Sequence, residues 1–413
     1  MIPKQEILSI AAVTNVLPST VEKDYVLSWT LHAISKNQNL STWVFNGGTC
    51  LKKCFFETYR FSEDLDFTVP TGAVYDAEII KSSLIEISKF LYEETGIEIR
   101  EDTIEVKESF NKNQVKTFEA KFGYIGPLNY NVKALPRIKF DITADEILVD
   151  TPDIRSVFNI YSDAPGTAAN IKCYSINEIL AEKTRAIYER QGRARDLYDI
   201  INIGRNFRED INPPKARHAL AEKFKFKFLP APSVSMIIQR IDFEILKANW
   251  EQQLRHQLPV LPPVEDFYND LPAELSWWID EIVATPQLPR LSVGDGEIIE
   301  AKQHFNTSIY QRRLGIGRAI RGPESDLTSG NLLDQIRFAA RNRLLISFNY
   351  SGSTRVAEPY SLRRPNTGNL LLYVYEVSKG GYKGEGIKAF RISQIANVKV
   401  LEQSFVPKYC IEL

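Results

Sequence analysis

The chain is poor in the residues that build most metal and redox centres. Its 413 residues include four cysteines and four histidines. No CxxC pair occurs and the histidines are scattered, so a zinc site is not expected. Cys50 and Cys54 stand four apart, a helix spacing. With Cys173 and Cys410 they read as small apolar fillers in a reducing cytoplasm. No apolar run is long enough to cross a bilayer. The opening stretch MIPKQEILSI has no secretory hydrophobic region. The expectation is a cytoplasmic protein with no membrane partner. The formal net charge is −1, so overall charge gives no argument for nucleic-acid affinity. The 51 Lys and Arg still allow a local basic patch. There is no internal repeat and no low-complexity tract.

What is present is ordinary globular material. Hydrophobic residues make up 44% and charged residues 25%. The length suggests two or three domains. Residues 1–40 read as helical, with Ser19 and Glu22 at capping-box spacing. Residues 42–46 are strand-like, and an amphipathic run from Thr49 to Phe56 follows a Gly-Gly pair. Strict alternation makes 64–69 a strand. A helix is expected over 76–95 and mostly β structure over 97–149. Ser175 and Glu178 again have capping-box spacing. Helical pattern covers 194–206 and much of 214–285. The segment 284–298 has Pro, Gly and no clear period, as a linker does. A short helix over 331–343 precedes a β-rich tail.

Five features carry chemistry. The first is Gly47-Gly48-Thr49, between a strand and a helix. Glycines let a backbone come close to a phosphate, though a Gly-Gly pair is also a plain turn. The second is Asp64-Leu65-Asp66. On a strand both carboxylates share one face, while Leu65, Phe67 and Val69 point inward. Adjacent carboxylates repel unless a cation lies between them, and magnesium suits that place. The alternative is a solvated strand face. The third is Lys139-Phe140-Asp141, on another alternating strand. Asp141 joins the pair if the strands are neighbours, and three carboxylates hold two metal ions. The fourth is Lys183, in the middle of the apolar stripe of Ile176, Ile179, Leu180 and Ile187. A core-facing lysine needs a partner, which a triphosphate would supply, or it snorkels to water. The fifth is Arg193-Ala194-Arg195-Asp196, continuing to Asp199. The arginines suit bidentate phosphate contact. Taken alone, this segment reads as a solvated, salt-bridged helix start.

The ordered set is more specific than its parts. Residues 1 to about 285 resemble the AbiEii/AbiGii toxin family of nucleotidyltransferases, in the DNA polymerase β-like superfamily. The stretches that carry the resemblance are VEKDYVLSW (21–29), FNGGTCLKK (45–53), YRFSEDLDF (59–67), IKFDI (138–142), EILAEKTRAI (178–187) and RARDLYDI (193–200). The resemblance implies an α+β fold, with a mixed polymerase-β-like sheet, flanking helices and a helical lobe. It assigns Gly47, Gly48, Thr49, Lys139, Lys183, Arg193 and Arg195 to nucleotide binding. Asp64, Asp66 and Asp141 become metal ligands, for Mg2+ or Mn2+, and catalytic residues together with Lys183 and Asp196. Arg195 stands where the family's RxKD motif has Lys. The implied activity is transfer of a nucleotide from a nucleoside triphosphate to an RNA 3′ end, as in tRNA. The family also implies a toxin of a toxin–antitoxin or phage-defence system, with a separately encoded antitoxin.

The tail resembles a WYL domain, a small Sm/SH3-like barrel. The supporting stretches are 336–362, 371–377 and 387–405, although Leu372-Tyr373-Val374 stands near the place of Trp-Tyr-Leu. That resemblance makes Arg355, Tyr373 and Arg391 contacts for a nucleotide or nucleic-acid ligand. The expected layout is a catalytic domain over 1–205, its helical lobe over 206–285, a connector over 286–327 and a WYL-like barrel over 328–413. Two rival readings stand beside the RNA-directed enzyme. One is a nucleotide-binding sensor acting through the WYL-like part. The other is an enzyme that nucleotidylates protein.

Overall fold

The computed structural model describes residues 1–56, 58–110, 114–129, 134–280, 288–292, 297–298, 325–365, 368–384 and 386–413. A basic stretch, QRRLGIGRAIRG at 311–322, and most of the expected connector lie outside them. The described chain is a mixed α+β fold with two sheets.

The first helices are α1 (Lys4–Thr14) and α2 (Pro18–Lys36). α2 does not use the Ser19–Glu22 capping box. Pro18 occupies its first turn and Leu17 is the N-cap without a side-chain bond. Proline's fixed φ and missing N–H suit that place. Glu22 instead accepts from the Leu128 N–H at 2.6 Å.

The larger sheet is built from β1 (Val44–Asn46), β2 (Asp64–Thr68), β3 (Glu98–Ile99), β4 (Glu105–Phe110), β5 (Lys116–Ile125), β6 (Arg137–Thr143), β7 (Asp153–Ser156) and β8 (Asn170–Cys173). Its order is β3-β5-β6-β2-β1-β8-β7, with β4 also on β5. β2 runs parallel to β6 and antiparallel to β1. Alternation explains both central strands. Leu65, Phe67, Ile138, Phe140 and Ile142 are buried, and the intervening carboxylates face the other way. Phe67 packs on Trp43 and Phe45, with ring centroids 5.7 and 5.2 Å apart. Burying each such side chain contributes roughly 1.5–3 kcal/mol.

A short helix, α3 (Gly47–Cys50), follows β1 and runs into a π-helical turn over Leu51–Phe55. Lys53 in that turn is buried and donates to Asp24 of α2 at 2.7 Å and Ser28 at 2.8 Å. α2 also sends Tyr25 and Trp29 to the Asp163 carboxylate. α2 is thereby tied to the turn that follows β1.

The helical part comprises α4 (Ala77–Thr95), α5 (Ile176–Glu189), α6 (Ala194–Phe207), α7 (Pro213–Phe226), α8 (Val234–Arg240), α9 (Phe243–Leu254) and α10 (Val264–Ile279). Ser175 caps α5 by accepting from the Glu178 N–H. Only that half of the expected box forms. The Glu178 carboxylate accepts from the Asp150 N–H and meets buried Lys223 at 2.8 Å, joining α5 to α7.

The second sheet contains β9 (Glu297–Ile298), β10 (Leu344–Tyr350), β11 (Ser353–Arg364), β12 (Leu371–Lys379), β13 (Tyr382–Lys383), β14 (Ile387–Arg391) and β15 (Ala396–Ser404). These strands pair antiparallel and curl as a half-barrel. The helix before them, α11 (Ser325–Arg341), begins earlier than its sequence pattern suggests. Its end meets the first lobe. Arg341 donates to the Thr58 carbonyl at 2.6 Å, and Arg343 pairs with Asp270 of α10 at 2.5 Å. No helix among the described residues is long and apolar enough to cross a membrane.

Candidate active site

Strand register builds the site. Asp66 of β2 lies opposite Asp141 of β6 and Asn46 of β1, and Asp64 lies opposite Lys139. The parallel β2–β6 pairing therefore gathers the three carboxylates that sequence had placed on separate strands. Lys139 bridges Asp141 at 2.9 Å and Glu119 at 3.3 Å, partly exposed.

Gly47 stands directly against this cluster. Its φ is +78°, a conformation that favours glycine. A Cβ there would come within 2.1 Å of the Asp66 Oδ2. At Gly48 a Cβ would meet the Arg60 guanidinium at 2.4 Å. The two glycines thus make room for Asp66 and Arg60. Thr49 is buried, and its hydroxyl donates to the Asp64 carbonyl at 2.5 Å. That bond ties the turn to the strand bearing the carboxylates.

The charges of the cluster are out of balance. Burial pushes the Asp66 carboxyl up to about 6, and the neighbouring Asp141 and Asp64 add to the rise against Lys183. The cluster holds more negative charge than its cations offset.

A second acidic group lies behind it. Asp196 and Asp199 are both buried on α6, not solvated as the segment's sequence suggested. Lys183 is nearly buried, as its helical position predicts. Its partners are Asp196 at 3.2 Å and Asp199 at 2.8 Å, so carboxylates supply the counter-charge expected from a triphosphate. Asp199 also takes both ends of Arg60, each at 2.8 Å, and the Tyr59 hydroxyl at 2.7 Å. Burial alone would raise the Asp199 carboxyl. Arg60 and Lys183 overcome this and hold it far below the usual carboxylate range. Sequence reading gave no role to Arg60. Its signal was present, a cation in the apolar stretch Tyr59–Phe61 just before the carboxylates.

Arg193 and Arg195 lie on the open side of α6. They line a cavity of about 400 Å³ with Asp64, Glu63 and Gln253. Burial, Arg193 and Arg60 together lower the Arg195 pKa.

The remaining predicted contacts are not assembled. Tyr373 and Arg391 share one face of the second sheet, through the Leu371–Arg391 and Tyr373–Ala389 pairing. Tyr373 is buried beside Leu291 and Tyr360, and Arg391 is exposed. Arg355 is on the opposite face, paired with Glu376 and lying over the Phe390 ring. Cys50, Cys54 and Cys173 meet in the core with their sulfurs within 4.8 Å of one another. Sequence showed the first two as helix neighbours. The β1–β8 pairing, Phe45 opposite Cys173, brings the third.

Among solved structures the chain is similar to MenT4, a nucleotidyltransferase toxin of Mycobacterium tuberculosis. Identity is 16%, the match covers 68% of this chain and 90% of that one, and the TM-score is 0.49. No curated protein matches. Residues 29–281, more than half of the chain, match the family described as "Nucleotidyl transferase AbiEii toxin, Type IV TA system". With its carboxylates, Lys183 and glycine turn inside the matched span, the chain belongs to the AbiEii nucleotidyltransferase toxins.

Proposed function

We propose that the enzyme transfers a nucleoside monophosphate from a nucleoside triphosphate to an RNA 3′ end, with a tRNA as acceptor. The observation that carries this reading is the row of Asp64, Asp66 and Asp141 on adjacent strands, crowded and short of positive charge. The set offers only oxygen ligands, which fits a hard divalent cation such as Mg2+ or Mn2+. Asp64, Asp66 and Asp141 would hold it, and when bound it supplies charge neutralisation to the triphosphate and the leaving pyrophosphate.

The chain's own groups do the rest. Gly47 lets the Asp66 carboxylate sit against the backbone. Thr49 fixes the start of β2 through the Asp64 carbonyl. Lys183, held by Asp196 and Asp199, presents a positioned charge behind the carboxylates. The acceptor hydroxyl then forms a bond to the α-phosphorus as the bond to pyrophosphate breaks. A separately encoded antitoxin is the partner that the family description supports.

The test is incubation with magnesium, total RNA and each labelled nucleoside triphosphate, beside Asp66→Ala. Label in a tRNA-sized band, absent from the variant, is the expected result. Label on protein would replace this reading with protein nucleotidylation.

A further inference from the structure

Two open cavities adjoin at the end of α9. The first is the 400 Å³ cavity at Asp64, Arg193 and Arg195. The second, about 770 Å³, lies between the α1–α2 junction and α9, with Ala11, Val16 and Leu17 in its wall. Gln252 and His256 line both. The two cavities adjoin there, and a strand laid across both would run from Asp64 past the end of α9 to the start of α2.

The end near Asp64 holds polar groups that the protein does not use. Arg193 and Arg195 form no ion pair among the described residues. The Arg195 Nε and the Gln253 Oε1 are buried without a hydrogen-bond partner. Asp64 lines the same cavity but forms no ion pair with them among the described residues, and two other acids nearby are occupied elsewhere. Glu63 pairs with Lys23 at 2.8 Å, and Asp199 is taken by Arg60 and Lys183. Unpaired guanidiniums beside a catalytic carboxylate call for an external anion, and their fork geometry suits phosphate. The far cavity sets apolar surface at Ala11, Val16 and Leu17, the last 61% exposed, beside Asn15, Glu251 and Arg255. A single-stranded nucleic acid needs a cationic path for its backbone and surface for its bases to lie against. One nucleotide bound at the carboxylates would leave the far cavity unfilled.

We infer that the two cavities together seat the single-stranded end of the acceptor. Arg193 and Arg195 hold the phosphates nearest the reacting hydroxyl, and the wall at the α1–α2 junction takes bases further back. The inference rests on the RNA-directed reading above. It moves the two arginines from the incoming nucleotide, where the family resemblance put them, to the acceptor strand.

The experiment measures two affinities on the full chain. One ligand is a fluorescent single-stranded RNA ending in a 3′-deoxynucleotide, the other a fluorescent non-hydrolysable nucleoside triphosphate. The proteins are wild type, Arg193→Gln/Arg195→Gln and the surface variant Leu17→Asp, each checked for an unchanged melting curve. The double variant is expected to lose RNA affinity by at least about tenfold, and its log-affinity against log-salt slope to shrink by about 1.4, or 0.7 per phosphate contact. Its triphosphate affinity stays within about twofold. Leu17→Asp weakens RNA binding with little change of slope. If the arginine variant does not fold, Leu17→Asp and crosslinking of a thiouridine placed near the RNA end decide, with crosslinks expected on 8–18 or 251–257. RNA affinity that survives both substitutions, triphosphate affinity that falls with the arginines, or crosslinks elsewhere would overturn the inference. Failure of the RNA reading itself looks different: wild type then labels protein and leaves RNA unlabelled.

Discussion

Two groups of carboxylates share Lys183 as a neighbour, and they respond to the same fold in opposite ways. Asp64, Asp66 and Asp141 stand on strands, partly open, with Asp66 pushed up to about 6. Asp196 and Asp199 stand on α6, buried, with Asp199 held far below its ordinary value by Arg60 and Lys183. Burial is greater in the second group, yet that group is the comfortable one. The difference is company. The inner carboxylates have cations and hydroxyls at hydrogen-bond distance, so their charge is spent on scaffold. Of the outer ones Asp141 has Lys139, while Asp66 faces Asp141 and Asp64, so charge remains available to something brought from solution.

That contrast can be broken from either side. The largest effect is expected from Asp66→Ala, which removes several kcal/mol of transition-state stabilisation and cuts transfer by about 10³-fold or more. Its thermal midpoint should stay put or rise slightly, because a repulsive charge leaves; a collapsed fold would contradict the division. Arg60→Met should do the reverse. It removes one of the two cations that hold the buried Asp199 charge and costs about 3–5 kcal/mol, read by urea unfolding. Gly47→Ala comes next, at roughly 1–3 kcal/mol from its positive φ and its overlap with Asp66, with transfer activity falling alongside. Thr49→Val, which deletes one buried donor to the Asp64 carbonyl, should cost about 1 kcal/mol.

Acid titration of metal-free protein sharpens the same contrast. Asp66 has a raised folded-state pKa. Its contribution is fully present below the unfolded value near 4 and is lost as pH rises through about 6. Asp199 has a depressed one, so its contribution is present above about 4 and is lost as pH falls further. Stability against pH should therefore slope one way between about 4 and 6 and the other way below about 4. Asp66→Asn should flatten the upper window and Asp199→Asn the lower.

Local pattern made the outer group legible. Alternation in DLDFTV and in RIKFDI put each carboxylate on the exposed face of its own strand. It did not show that the two strands lie side by side, because β2 and β6 pair across some seventy residues and no local preference reports such a register. Helical periodicity turned Lys183 inward correctly. Its partners come from the next helix, so a phosphate and a carboxylate were equally good guesses for its counter-charge. Pro18 was the better guide to the start of α2 than Ser19, since its ring suits the first helical turn. Arg355 and Tyr373 were chosen by their place in a resemblance. Strand alternation and bulges in β11 then turned them to opposite faces.

The link at Thr58 has a mechanical side. Its carbonyl is gripped by Arg341, two residues before the arginine on which the inner carboxylates depend. Asp270 on α10 is gripped by both Arg205 and Arg343. A chain trimmed after α10 would keep every catalytic letter and lose its buttress. Strain applied to the last sheet, by a docked molecule or a stretched tether, would reach the catalytic lobe through the Thr58 peptide group and through Asp270.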